Sequence, residues 1–314
     1  GLGILSNSGM QETRFGVNQQ GNIYARLAVS RALHDVRLFI AADAIVRDEN
    51  AMWSSGDRAY QSIIGTQYIK DSFQLGLLSG VRYQQDREEY ANPYGETDSF
   101  VVPLDIFSTY QITESWSLAS ELVGVVGSSN RLVNESTKGN YANVRYFGGV
   151  VRAQNEQESF VGDVQTLLEL GSTSGDANSG NDVVGNFSFH SDYNVGLILY
   201  DEVLPRLQAR SVERLADPDL SGTPAPSLRY AVSQGGVHNS TYLQLCSSLQ
   251  HKDWLVRLAW LEAISSVPIA DAYQTALAGG YSTNSMGEDT THRLGSEVDI
   301  RLQYTWNDTI FIGT

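Results

Sequence analysis

Between Arg293 and Trp306 the two faces of the chain separate almost completely. Leu294, Val298, Ile300, Leu302, Tyr304 and Trp306 fall on one side, interrupted only by Ser296, while Arg293, Glu297, Asp299, Arg301 and Gln303 fall on the other. A period of two over such a length is the signature of a β-strand with one apolar and one charged face. A soluble sandwich also alternates, so one strand does not decide the fold. The deciding feature is recurrence. Val36, Leu38, Ile40, Ala42, Ala44 and Val46 oppose Arg37, Asp43 and Arg47, and Phe100, Val102, Leu104, Ile106, Tyr110 and Ile112 oppose Asp105, Thr109 and Gln111. Phe160, Val164, Leu168 and Leu170 oppose Asp163, Gln165 and Glu169, and Trp254, Val256, Leu258 and Trp260 oppose Arg257. Weaker versions lie near 22–33, 59–69, 73–83, 116–127, 141–152 and 239–250. Segments of this length, ending in aromatic residues, match strands that cross a bilayer. The expected fold is all-β, a transmembrane antiparallel up-and-down β-barrel in the bacterial outer membrane, with its charged faces lining a water-filled lumen.

Hydropathy does not announce this, because lipid-facing and lumen-facing positions cancel in any window. No apolar run reaches the roughly 18 residues of a spanning helix; the longest candidate, Leu38 to Val46, contains Asp43. A net charge of −15, with 18 Arg against 3 Lys and no basic cluster, argues against a nucleic-acid partner. The lone Cys246 excludes an internal disulfide framework, and on its strand it shares the lumen parity of Tyr242 and Gln244, as a small packed residue. The opening residues do not read as a signal peptide, which an outer-membrane protein needs, so one is expected upstream of them. The chain opens within the apolar run Gly1–Leu5 and stops within Thr309–Thr314, so both ends of the native protein are expected to lie beyond it.

The connections alternate between short and long. Short ones are expected near His34-Asp35, Lys70-Asp71, Thr113 to Ser115, Gln154 to Glu158, His251 to Asp253 and Asn307-Asp308; long polar ones near 6–20, 48–58, 85–98, 128–140 and 265–292. Outer-membrane barrels have short periplasmic turns and long extracellular loops. Tyr68, Phe73, Tyr110, Trp116, Phe160, Trp254, Tyr304 and Trp306 flank the short turns, as an interfacial girdle would. Pro103 within a strand calls for a bulge or a local break. The strand ending near Leu170 runs outward and the one beginning near Asn239 runs inward. Residues 171–238 therefore either sit on the extracellular side of the single barrel 1–314 or leave and re-enter in pairs of strands; as an insertion they are expected to fold into or over the lumen and narrow it, with a cap packed on the extracellular rim as the alternative. Within it, Val203, Leu204, Leu207, Val212 and Leu215 have helical spacing.

The lumen set is Arg37, Arg47, Arg82, Arg257, Arg293 and Arg301 with Asp43, Asp105, Glu121, Asp163, Glu169, Glu297 and Asp299. These charges either select solutes by sign or pair across strands and stiffen the wall. Asp176 to Asp182 places oxygen donors at alternate positions, but Phe187 stands where the closing Glu of a calcium loop belongs, so a flexible glycine loop is the reading. His34, His190, His238, His251 and His292 show no metal-ligand spacing, and His190-Ser191-Asp192 is too compact for a triad. Neither a cofactor nor an enzymatic activity is expected. The expected partners are outer-membrane lipid and a small polar or glycan solute; an anchor within a larger envelope assembly, with envelope-protein partners, is the alternative to a channel.

Three segments carry a family likeness: Gly1-Leu2-Gly3-Ile4-Leu5-Ser6-Asn7, Glu169-Leu170-Gly171 through Ser174-Gly175-Asp176, and Leu294-Gly295-Ser296-Glu297-Val298-Asp299 with Tyr304 and Asn307-Asp308. With these the chain resembles the alginate-export type of outer-membrane porin of Gram-negative bacteria. The resemblance implies a wide monomeric barrel of about 16–18 strands that passes a polar solute. The mixed lumen charge suits a neutral or zwitterionic solute, or a weakly selective pore, better than a polyanion.

Overall fold

A computed structural model describes residues 23–47, 58–86, 97–130, 141–176, 182–189, 193, 195–204, 236–269, 274, 277–279, 281, 283–284, 286–306 and 310–313. The segment Gly1–Asn7 and the side chains of Arg47 and Trp306 lie outside the described set. Twelve strands follow one another as antiparallel neighbours: β1 (Ile23–Leu33), β2 (Val36–Arg47), β3 (Arg58–Lys70), β4 (Phe73–Asp86), β5 (Thr97–Gln111), β6 (Trp116–Ser129), β7 (Ala142–Ser159), β8 (Gly162–Thr173), β10 (Ser240–His251), β11 (Trp254–Ser265), β12 (Arg293–Trp306) and β13 (Ile310–Gly313). The short β9 (Val183–Val184) lies in parallel on β7. The β1–β2, β3–β4 and β10–β11 connections are two-residue turns. Their first residues, His34, Asp71 and Lys252, take φ of 52°, 45° and 52°, the sign that lets a tight turn follow the right-handed twist of its strands.

The wall is inside-out. Leu27 is 77% exposed and Ile300 69%, whereas Glu121 and Glu169 are each 1% exposed. A sheet that buries carboxylates and presents leucine and isoleucine outward is stable only where the outside is hydrocarbon. Short and long connections segregate to opposite ends, as the alternation of the sequence requires. At the short-turn end Tyr68, Phe73 and Tyr110 form a cross-strand aromatic row with ring centroids 6.4 Å apart, and Trp254 stacks on Tyr304 at 4.7 Å. Trp116 is exposed on the same belt.

Two local expectations need correction, and that at Pro103 holds. β7 and β8 run through to a turn at Phe160-Val161, so Gln154 to Glu158 is strand and not connection, and Phe160, 98% exposed, sits at the turn itself. Its outward neighbours there are polar because the strand has passed the apolar band. At Pro103 the expected local break is present without a bulge: the β4–β5 ladder pairs Ser79 with Leu104, omits the next two residues of each strand and resumes in the same register at Arg82 with Val101. Finally, a bulge at Gly295 (φ 135°) changes the parity of β12: Gly295 pairs with Ala263, but Arg293 pairs with Ile264. Leu294 is thereby buried inside instead of facing outward, and Arg293 shares the outer face of Ile264 near the long-loop rim.

Candidate pore lining and the interior insertion

Strand register places the inward charges in cross-strand groups. On β1–β3, Asp43 accepts from Arg26 Nε (2.7 Å), Arg26 Nη2 (2.8 Å) and Gln61 Nε2 (2.6 Å). Arg37 is exposed on the inner face opposite Ala32 and Gln67, and Arg82 donates to Gln84 at 2.9 Å. On β5 and β6, Asp105 and Glu121 are buried diagonal neighbours whose carboxyl groups meet, and one Asp105 oxygen has no partner among the described residues. Asp163 lies exposed at the short-turn end of β8. Arg257 and Arg301 stand opposite each other low on β11 and β12, Arg301 donating to Gln303 at 2.7 Å; Asp299 and Glu297 occupy the next two inward positions above.

The most enclosed ion pair joins Glu169, one of the expected lumen residues, to Arg152, which was not in that set. Arg152 on β7 donates through Nε (2.7 Å) and Nη2 to Glu169 Oε2 on β8, and the Tyr242 hydroxyl donates to Glu169 Oε1 at 2.6 Å. Arg152 is 6% exposed. Its parity with Val150 was readable in the sequence, but Gly148-Gly149 interrupts the alternation that would have singled it out.

Above this layer the inner wall turns apolar, and there the insertion covers it. Phe189, Tyr193, Val195, Leu199, Tyr200, Leu204 and Val237 form one buried cluster with Val150, Tyr242, Leu261, Ala263 and Leu294 of the wall. Burial contributes about 1.5–3 kcal/mol for each large apolar side chain relative to exposure. Phe187, Phe189 and Tyr193 stack edge to face at 6.0 and 5.5 Å, and Tyr200 packs edge-on to Tyr242 at 6.0 Å. Ser240 Oγ donates to the Tyr200 hydroxyl at 3.0 Å. Burial pushes the Tyr193 and Tyr200 phenols up and the His238 imidazole down to about 4, so all three are neutral at physiological pH.

Glu297 holds this segment to β12. Its carboxylate accepts the backbone N–H groups of Leu197, Ile198 (2.9 Å) and Leu199 (2.8 Å), at the start of a single π-helical turn, Leu199–Val203. A helix start offers unpaired N–H groups, and a carboxylate is their natural acceptor. Gly196 makes the approach possible, with φ 73° and a position where a Cβ would sit 2.8 Å from Leu261 Cδ2 and 2.9 Å from Glu297 Oε2. Gly196→Ala is therefore expected to weaken the attachment by about 1–2 kcal/mol from the left-handed backbone alone. Hydrogen exchange at the Leu199 amide, faster by roughly tenfold or more, checks this.

Beyond Leu204, the helical spacing expected over 203–215 lies outside the described residues, as do His190-Ser191-Asp192 and residues 177–181 of the glycine loop. Asp176 accepts the Gly185 N–H at 3.3 Å. Cys246 is buried between Leu167 and Ala259. Among the described residues no group of His, Cys, Asp and Glu is arranged to hold a metal ion.

No protein-family model matches the chain, and no curated protein matches it. Among solved structures it is similar to CdiB from Acinetobacter baumannii (9% identity, TM-score 0.35, 93% of this chain and 52% of that one). It is also similar to P. aeruginosa FpvA bound to heterologous pyoverdines (10%, 0.41, 91% and 39%) and to the Pseudomonas putida toluene transporter TodX (9%, 0.26, 91% and 74%). The chain thus spans about half the length of the first and two fifths of the second. The inside-out burial of the wall, rather than these distant likenesses, makes the chain an outer-membrane type of β-barrel.

Proposed function

We propose that this barrel is an outer-membrane channel passing small polar solutes or glycans by passive diffusion, with insertion 171–238 setting its exclusion size. One observation carries the reading: the insertion covers the inner face of β6 to β12, whereas among the described residues it leaves uncovered the inner face of β1 to β4, where Arg37, Gln61, Gln67, Gln74 and Arg82 stand beside Phe39 and Ile63. A barrel used only as an anchor has no need of an inner wall that is half apolar, to hold a segment, and half lined by Arg37, Gln67, Gln74 and Arg82. The mixed inner charges, many tied to one another, support a neutral or zwitterionic solute over a polyanion. The segments Glu169 to Asp176 and Leu294 to Asp308 support the alginate-export-like variety of porin in architecture rather than in cargo.

Planar-bilayer conductance tests this on the whole chain and on a variant in which residues 177–235 are replaced by a short glycine-serine linker. The expected result is a small, stable conductance in the first and a several-fold larger one in the second. Insertion into the bilayer without conductance in either would overturn the channel and leave an envelope anchor.

A further inference from the structure

The outer face carries a feature that the channel does not use. Where β6, β7, β8 and β10 run side by side, the apolar surface dips into a groove of about 420 Å³. Its rim is made by Leu104, Leu122, Phe147, Val151 and Leu170, all strongly exposed, and its floor by Gly124, Gly149 and the Ser172–Thr241 pair. The two floor hydroxyls bond to each other at 2.8 Å, so the floor asks for no polar partner. Directly above, two residues nearer the long-loop rim and on the same face, stands Arg145, exposed and opposite Val126. Two residues of strand span about 6–7 Å. Arg145 makes no side-chain hydrogen bond or ion pair among the described residues.

We propose that this groove seats one acyl chain of a phosphate-bearing lipid, whose phosphate pairs with Arg145. The surroundings at groove height are hydrocarbon, and an unfilled dent forfeits dispersion contacts on every wall. A lipid in bulk bilayer satisfies the groove anywhere along its chain. Only a lipid anchored from above is held in one register, and a guanidinium at the rim is suited to bind phosphate through paired N–H donors. Gly124 is a position that costs nothing structurally, since a Cβ there meets only the Tyr146 carbonyl at 3.9 Å. Its glycine therefore keeps space open rather than relieving strain.

The probe is lipid A, intact and dephosphorylated, added to the delipidated full chain in detergent and quantified by native mass spectrometry. Wild-type protein is expected to hold the intact lipid about tenfold more tightly than the dephosphorylated one. Arg145→Gln should erase that difference, and Gly124→Leu should weaken both lipids by filling the groove. Equal binding of the two lipids by wild type, or intact-lipid binding unchanged in Gly124→Leu, would overturn the proposal. Heat-modifiable gel mobility reports that each variant is folded, and Arg145→Gln, an exposed change, keeps the test decisive should Gly124→Leu misfold. Both substitutions face away from the lumen and leave conductance as in wild type, so failure of the channel reading is registered separately.

Discussion

Glu297→Ala is expected to open the proposed channel. The wild-type carboxylate satisfies three backbone N–H groups of the insertion, those of Leu197, Ile198 and Leu199, at a buried position. Net hydrogen bonds to a charged acceptor contribute about 1.5–3 kcal/mol each, and removal of the acceptor also leaves the donors unpaired in the attached state. Because the three share one carboxylate they are not additive, and a loss of about 3–5 kcal/mol is the reasonable range. Each 1.4 kcal/mol is a factor of about ten in the ratio of attached to detached insertion, so that ratio falls by about two to three and a half orders of magnitude. The apolar cluster still holds the segment, which makes flickering between small and large conductance levels the expected record rather than a permanently wide pore. Glu297→Gln should fall between the two, since its carbonyl oxygen keeps part of the acceptor set and its NH2 group faces donors. A conductance trace indistinguishable from wild type in Glu297→Ala, with unchanged exchange at the Leu197 to Leu199 amides, would show that the carboxylate does not hold the insertion.

The wall was legible in the sequence because its signal is local. β2, β5, β11 and β12 each display both faces within a dozen residues, and side-chain alternation needs no knowledge of the neighbouring strand. The parity of short and long connections then oriented the strands. What escaped reading was whatever depends on distant partners or on a single backbone angle. Glu297 could be assigned to the inner face but not to Leu197, a hundred residues earlier in the chain. Leu294 and Arg293 exchanged faces because one bulge at Gly295 breaks the count of two, and glycine gives no warning of whether it bulges or simply continues the strand. The turn expected at Gln154 to Glu158 was a polar stretch of strand beyond the apolar band; composition marks where hydrocarbon ends, not where the ladder ends. Arg26 was legible in principle, alternating with Ala25 and Leu27, yet its role became plain only when register set it against Asp43.

Arg152→Ala is expected to be the most destabilising single change in the wall. Glu169 is 1% exposed and its two oxygens are served by Arg152 on one side and by Tyr242 on the other. Truncating the arginine leaves a carboxylate in a site closed above by Tyr193, itself buried and within 3.4 Å of the guanidinium. Breaking such a buried pair from one side costs about 3–5 kcal/mol, most of it the penalty of the abandoned charge rather than the worth of the bridge. Denaturant unfolding of the barrel in detergent reads this as a large fall in midpoint. The double change Arg152→Met, Glu169→Leu removes both charges and roughly keeps their volume. It should recover most of the loss, because an apolar pair of similar size avoids desolvating either ion, with Tyr242 left one acceptor short as the remaining cost of about 1–3 kcal/mol. A double variant as unstable as Arg152→Ala would mean instead that the geometry of the ion pair, and not relief of a stranded charge, holds β7, β8 and β10 to the insertion.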